Sequence, residues 1–159
     1  MEKTEIKENP YQGLREQAIS VTSDQLKLYL KNENDLYGVL MDWNLGDAIV
    51  TVVSFKTGDA SVYFSTGQVF IGGYAHETVN NSAKELVKVA GRYLSKSTIT
   101  DLSEPTKEKK IDFYFLTKAG KYYLEDDLDL IENNKSDLTP LFESANQVIT
   151  EYRLITEKK

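Results

Sequence analysis

The sequence predicts an α+β domain, an antiparallel twisted sheet of about five to six strands packed with about three helices. Three observations predict it. Ala48–Phe55 (AIVTVVSF) is a β-branched run bounded by turn chemistry, two later segments carry helical apolar spacing, and the elements fall in the order α-β-β-β-(β)-α-β-β-α.

Taken in order, residues 1–9 alternate charges with little apolar content and read as a disordered tail. Asn9-Pro10 marks a helix start, an Asx cap followed by proline at the first helical position. Leu14 and Ala18 supply its apolar stripe, and Gly13 keeps it short. Thr22-Ser23-Asp24 offers a second cap before Lys31–Asp35 breaks the pattern. Tyr37–Trp43 is a β-type run closed by Asn44–Asp47. Ala48–Phe55 follows, apolar on both faces, so the sheet needs cover on both sides. Lys56-Thr57-Gly58-Asp59 is a hairpin signal, Ala60–Phe64 returns antiparallel, and Val69–Ile71 is a further short run that stops at Gly72-Gly73.

A helix is expected from about His76 to Ser95, where Val79, Ala83, Leu86, Val87, Ala90 and Leu94 share one face. Ser97–Lys110 is polar, contains Pro105 and reads as a connecting loop. Ile111–Thr117 alternates, with Ile111, Phe113 and Phe115 facing one way and Asp112, Tyr114 and Leu116 the other. Lys118–Lys121 turns the chain into Tyr122–Leu124, and Glu125–Asp137 reads as an acidic, irregular loop. Thr139-Pro140 starts the last helix, running to about Tyr152. Residues 10–155 then form one domain and residues 156–159 a charged tail. The helices His76–Ser95 and Pro140–Tyr152 are expected over one sheet face. The N-terminal helix or a second protomer is expected over the other.

With 40% hydrophobic and 28% charged residues over 159 positions, a core forms without staples. The absence of cysteine excludes disulfides, thiolate metal sites and thiol catalysis. With no apolar leader-like segment near Met1, this points to a cytoplasmic protein. No apolar run reaches the roughly 18–20 residues that span a bilayer, so no membrane partner is expected. A net charge of −6 without a basic stripe argues against nucleic acid.

The candidate ligand site is the glycine loop Ser65, Thr66, Gly67, Gly72 and Gly73 with His76 at the following helix start. Free N–H groups at a helix N-terminus reached by a glycine turn suit an anion. Neither a dinucleotide nor a P-loop fingerprint is present, and paired glycines also serve where a strand turns sharply into a helix. His76 is the single histidine. A triad of Ser65, His76 and Asp42 or Asp47 is arithmetically possible, but no G-x-S-x-G elbow accompanies it, so no catalytic residues are assigned. Glu125, Asp126, Asp127, Asp129 and Glu132 lack EF-hand spacing and read as a solvated loop, so neither metal nor cofactor is expected. Trp43 and Tyr74 are candidate partner contacts, with core packing the competing reading for Trp43.

The segments YGVLMDW (Tyr37–Trp43), TVVSFKTGDASVYFSTGQVFIGG (Thr51–Gly73) and PLFESANQVITEYRLI (Pro140–Ile155) resemble a family of small uncharacterised bacterial proteins. The resemblance covers most of the chain after the first helix. It implies a bacterial cytoplasmic origin and no assigned activity. In that family the loop is richer in glycine than here, where Gln68, Phe70 and Tyr74 intervene, which argues against a conventional phosphate cradle. The function expected is a protein-interaction module rather than an enzyme, an adaptor or immunity-like protein that binds a protein partner or itself as a homodimer. The alternative is a small-ligand or anion-binding domain built on Ser65–Gly73 and His76.

Overall fold

The central strands are buried on both faces, and that sets the architecture. The computed structural model describes residues 9–157, so all of the expected tail over residues 1–9 except Asn9, and the last two residues of the C-terminal one, lie outside the described residues. Strand β1 (Leu36–Asn44) pairs antiparallel with β2 (Ile49–Phe55) on one side and β6 (Lys110–Thr117) on the other. From β2 the chain meanders outward through β3 (Ala60–Phe64) to the two-residue β4 (Val69–Phe70). On the other flank β6 turns into β7 (Gly120–Asp127), whose outer side takes β5 (Thr98–Thr100). The order β4-β3-β2-β1-β6-β7-β5 makes seven antiparallel strands, an α+β fold with one or two strands more than the sequence predicts.

The period-2 alternation of strands divides the side chains into two cores. Val39, Met41, Val52, Val62, Ile111, Phe113 and Phe115 point to one face, covered by α2 (Glu77–Ala90) and α4 (Thr139–Glu157). The α2 stripe of Val79, Ala83, Leu86, Val87 and Ala90 is buried there, as its spacing predicts. Leu40, Val53, Tyr63, Tyr114 and Leu116 point to the other face, beneath Ala18 and Ile19 of α1 (Tyr11–Ile19) and the partly buried Val21, Leu26 and Leu28. Each fully buried aliphatic or aromatic side chain stabilises the fold by roughly 1.5–3 kcal/mol relative to exposure.

Local chemistry fixes the ends. The Asn9 carboxamide accepts from the Tyr11 N–H at 2.9 Å and donates to the Ser65 carbonyl at 2.7 Å, so one side chain caps α1 and ties it to the sheet. Gly58, in the β2–β3 turn, has φ +98 and lies so close to Asn80 of α2 that a Cβ there would collide with the carboxamide. The helix expected to reach Ser95 ends at Ala90 and tightens into a 3₁₀ segment, Gly91–Lys96, once glycine weakens the α conformation. The last helix starts at Thr139 and continues through Glu157, past the expected Tyr152.

Two stretches read as loop contain structure. Ser97–Lys110 holds β5, whose three residues are too few to show a period. The acidic stretch extends β7 to Asp127 and adds a short helix, α3 (Leu128–Glu132), held by buried Leu128 and Ile131 at i,i+3 spacing. Among the described residues no helix is long and apolar enough to cross a membrane.

Candidate binding cleft

Acidic side chains stand inside two of the most apolar strands. Asp42 of β1 and Asp112 of β6 lie directly opposite each other in register and are fully buried. Side chains so placed are separated by roughly 5 Å between Cβ atoms, close enough for strong repulsion if both are ionised in a dry site. Residue parity places both on the α1 face, next to the Leu40–Tyr114 pair.

One cation answers them. Arg15 of α1, 4% exposed, donates from Nε to Asp42 Oδ1 at 3.0 Å and from its terminal nitrogen to Oδ2 at 2.6 Å, a bidentate pair. Its remaining terminal nitrogen donates to the Ser103 carbonyl. Thr51 donates to Asp42 Oδ1 at 2.7 Å, and because that uses its single proton, the Tyr11 hydroxyl 2.7 Å away donates to Thr51. Burial pushes the Tyr11 phenol up to about 12, which keeps it a donor at all ordinary pH. Burial alone would lower the Arg15 guanidinium, but the Asp42 carboxylate outweighs it and the group is held up.

Asp112 has no such cation to itself. Its Oδ2 lies 3.0 Å from the Tyr123 hydroxyl, and among the described residues its Oδ1 has no hydrogen-bond partner. The Thr106 backbone N–H favours the anion, though it falls short of good hydrogen-bond geometry to Oδ1. Burial first, and the neighbouring Asp42 second, raise its carboxyl well above the usual carboxylate range. Tyr123 also lies 2.7 Å from Glu125 Oε2, and Glu125 pairs at 2.9 Å with Lys110 at the surface. Those two donors hold Glu125 below its ordinary value.

Over this polar bed, α1 and residues 103–107 frame a cleft of about 850 Å³. Tyr11, Arg15 and Ile19 from α1 line it together with Asn44, Ile49 and Pro105. The segment 103–107 is strapped down from beneath. The Tyr114 hydroxyl donates to the Glu104 carbonyl, Asn44 Nδ2 donates to the Thr106 carbonyl at 2.9 Å, and Lys121 bonds the Ser103 hydroxyl. Burial, with Arg15 nearby, lowers the Lys121 ammonium. A stretch that reads as a mobile connection is thus a fixed wall. The cleft offers a floor of internally bonded polar groups beside the apolar Ile19, Ile49 and Pro105, a preformed concavity suited to holding a side chain or small molecule.

The sequence-predicted residues are divided between other places. Ser65 Oγ accepts from the Ile49 N–H at 2.8 Å, Thr66 is exposed, and Gly67 turns the chain at φ +113. Gly72 is exposed with φ +76, while Gly73 is buried and donates its N–H to the Tyr152 hydroxyl at 2.7 Å. Tyr152 in turn donates to the Ala60 carbonyl at 2.6 Å. Exposed His76 stands at the start of α2 without a side-chain capping bond. It lines a cavity of about 270 Å³ with Phe70, Tyr152 and Ile155, and Ser65 is not part of that cavity. Trp43 is half-buried, edge-on to Phe142 at 5.0 Å, with its indole N–H buried and unpartnered. Tyr74 is 63% exposed.

Sequence reasoning considers Asp42 only as an orienter for Ser65 and His76, and it misses Arg15, Thr51, Asp112 and Tyr123. The available signal is a lone acid at an inward position of each of two apolar strands, which demands a partner. Among the described residues no group of three or more histidines and acids is placed to hold a metal ion. Compared with known proteins, the chain matches no protein-family profile, no curated protein and no solved structure.

Proposed function

We propose that this chain is a non-enzymatic protein-interaction module, bacterial and cytoplasmic, that receives a projecting segment of a partner protein in the cleft between α1 and residues 103–107. The observation that carries this reading is the preorganised cleft itself, with its Arg15 floor locked by Asp42 and its wall strapped to the sheet. A preformed site binds without the entropic cost of ordering a loop. Binding rather than turnover is favoured because the ionisable groups at the cleft floor are committed to internal partners, Arg15 to Asp42 and Tyr11 to Thr51, while Glu16, Glu104 and Lys107 also line the cleft. The net charge of −6 favours a basic partner, as an immunity-like protein would meet.

The test fills the cleft without touching its floor. Gln12 lines it from an exposed position on α1, so Gln12→Trp occupies the space while leaving the buried bonds intact. Tagged wild-type protein is expected to capture a defined partner from lysate of the native organism, and Gln12→Trp to lose at least about tenfold in affinity for it, roughly 1.4 kcal/mol. Equal capture by both proteins places the contact elsewhere.

A second reading, a small-ligand or anion-binding domain using Ser65–Gly73 and His76, is supported by the uncapped start of α2 beside the smaller cavity. A thermal-shift screen of phosphorylated and carboxylated metabolites separates the two, because only this reading predicts a rise in Tm that His76→Ala abolishes.

A further inference from the structure

The hydrogen bonds around Tyr123 do not balance if every acid in the cluster is ionised. A neutral phenol has one proton to give, yet its oxygen lies within hydrogen-bond distance of two carboxyl groups, Glu125 Oε2 at 2.7 Å and Asp112 Oδ2 at 3.0 Å. Glu125 is half-open to solvent and paired with Lys110, the circumstances of an ionised acid. The shorter bond therefore takes the phenol proton, and the longer one needs a proton of its own. Asp112 Oδ1 leads to the same conclusion. An orphaned oxygen of a buried carboxylate is costly, whereas the carbonyl oxygen of a neutral acid is far less so. The charges agree as well, since Arg15 already balances Asp42 through two hydrogen bonds and a second anion would have to share that cation.

We infer that Asp112 is held as a neutral carboxylic acid in the folded protein, joined to solvent by a proton relay through Tyr123 to Glu125, and that its ionisation loosens the clasp that α1 and residues 101–109 form over the sheet. In the neutral state the Asp112 hydroxyl at Oδ2 donates to the Tyr123 oxygen, and Tyr123 donates to Glu125. To ionise, Asp112 passes its proton to the phenol oxygen as the phenol passes its own to Glu125, which releases it to water. Atoms and charge are conserved at each transfer. The groups facing Asp112 are Asp42 from β1, Arg15 and Tyr11 from α1, Tyr114 beside it on β6, and Tyr123 with Glu125 and its Lys110 partner from the β6–β7 hairpin. Ionised Asp112 competes with Asp42 for Arg15. That guanidinium carries the Ser103 carbonyl on its other side, so the competition reaches both halves of the clasp. This inference concerns the fold and stands whether or not the cleft is the partner site.

The experiment follows carboxyl carbon resonances of aspartate- and glutamate-labelled full-length protein as pH rises from mildly acidic to alkaline. Asp112, assigned by its loss in Asp112→Asn, is expected at the position of a protonated acid near neutral pH and to move downfield above it. Glu125 is expected to show a second inflection at the same pH, absent in Tyr123→Phe. Amide exchange, corrected for its intrinsic pH dependence, is expected to quicken in residues 11–19 and 101–109 through that inflection but not in α2 and α4. An Asp112 resonance at the ionised position near neutral pH overturns the inference. So does a Glu125 curve that Tyr123→Phe leaves unchanged, and so does exchange that quickens equally on both faces. Should Asp112→Asn fail to fold, elimination among the other aspartate variants assigns the resonance and the wild-type titration still decides.

Discussion

Beneath α2 and α4, the residues Met41, Phe113 and Phe115 pack among aliphatic and aromatic side chains. One residue along the same strands, on the opposite face, Asp42 and Asp112 meet Arg15, Thr51 and Tyr123. The first face is held by area removed from water, which is non-directional and indifferent to small shifts of a side chain. The second adds to its own apolar core a set of bonds of fixed length and angle, so it also specifies position. A one-residue slip of β1 against its neighbours would trade Met41 for Asp42 on the apolar face and strand a carboxylate among phenylalanines. The difference teaches that the helix face supplies stability and the clasp face supplies register, and each half can be broken separately.

The largest effect is expected on the helix face. Phe113 is fully buried and stacks on Phe115 with ring centroids 6.2 Å apart. Phe113→Ala leaves a cavity and should cost about 4 kcal/mol in denaturant unfolding. The clasp face should answer differently. Arg15→Met strands the Asp42 carboxylate and should cost about 3 kcal/mol, while Arg15→Met with Asp42→Leu should return to within about 1 kcal/mol of wild type. Recovery in the double variant marks the cluster as a positioning device. If the double variant is no better than the single one, the ion pair itself stabilises the fold and the contrast between the faces weakens.

The pH dependence sharpens the comparison further. The raised Asp112 carboxyl means that the folded protein binds more protons than the unfolded chain between the two pKa values. Its stabilising contribution is therefore complete below the unfolded value and is lost as pH rises through the folded one. Wild-type Tm should fall from mildly acidic pH up to about 8, where the folded Asp112 carboxyl titrates, and level off above it, and the Asp112→Asn curve should be flatter over that interval. Phe113→Ala should lower Tm without changing the shape of the wild-type curve.

How much of this was legible follows the same division. The helix face is visible in sequence because apolar period is a repeated signal, from Val79 to Ala90 in α2 and from Ile111 to Phe115 in β6. The alternation that puts Asp112, Tyr114 and Leu116 together is equally legible. What cannot be read is the pairing of β1 with β6. Asp42 and Asp112 are 70 positions apart, and no local pattern says that they meet. Arg15 looks like a solvated helix residue until β1 lies beneath it. Residues 101–109 have the composition of a loop because they are one, and they are fixed by bonds from Arg15, Asn44, Tyr114 and Lys121, which lie on other elements. The glycine loop misleads for the converse reason. Its residues are conspicuous in sequence, but Gly73 is needed for close approach to Tyr152 and Val79, which any Cβ would strike.

The smallest expected effect lies where the clasp begins, and it separates two roles of one side chain. Asn9 caps α1 through its carbonyl oxygen and holds the Ser65 carbonyl through its amide nitrogen. Both bonds are exposed, so water replaces them in part, and Asn9→Ala should cost about 1 kcal/mol. Asn9→Asp keeps the cap and adds a charge that complements the helix N-terminus, but it removes the donor to Ser65 and turns a carboxylate toward that carbonyl. If capping is the main role, Asn9→Asp should match wild type within a few tenths of a kcal/mol. If the tie to the sheet dominates, it should fall to the alanine level, and amide exchange should quicken in α1 alone. That second outcome would extend the clasp to the β3–β4 turn, placing the anchorage of α1 at Asn9 as well as Arg15 and making the whole helix, not its middle, the movable side of the cleft.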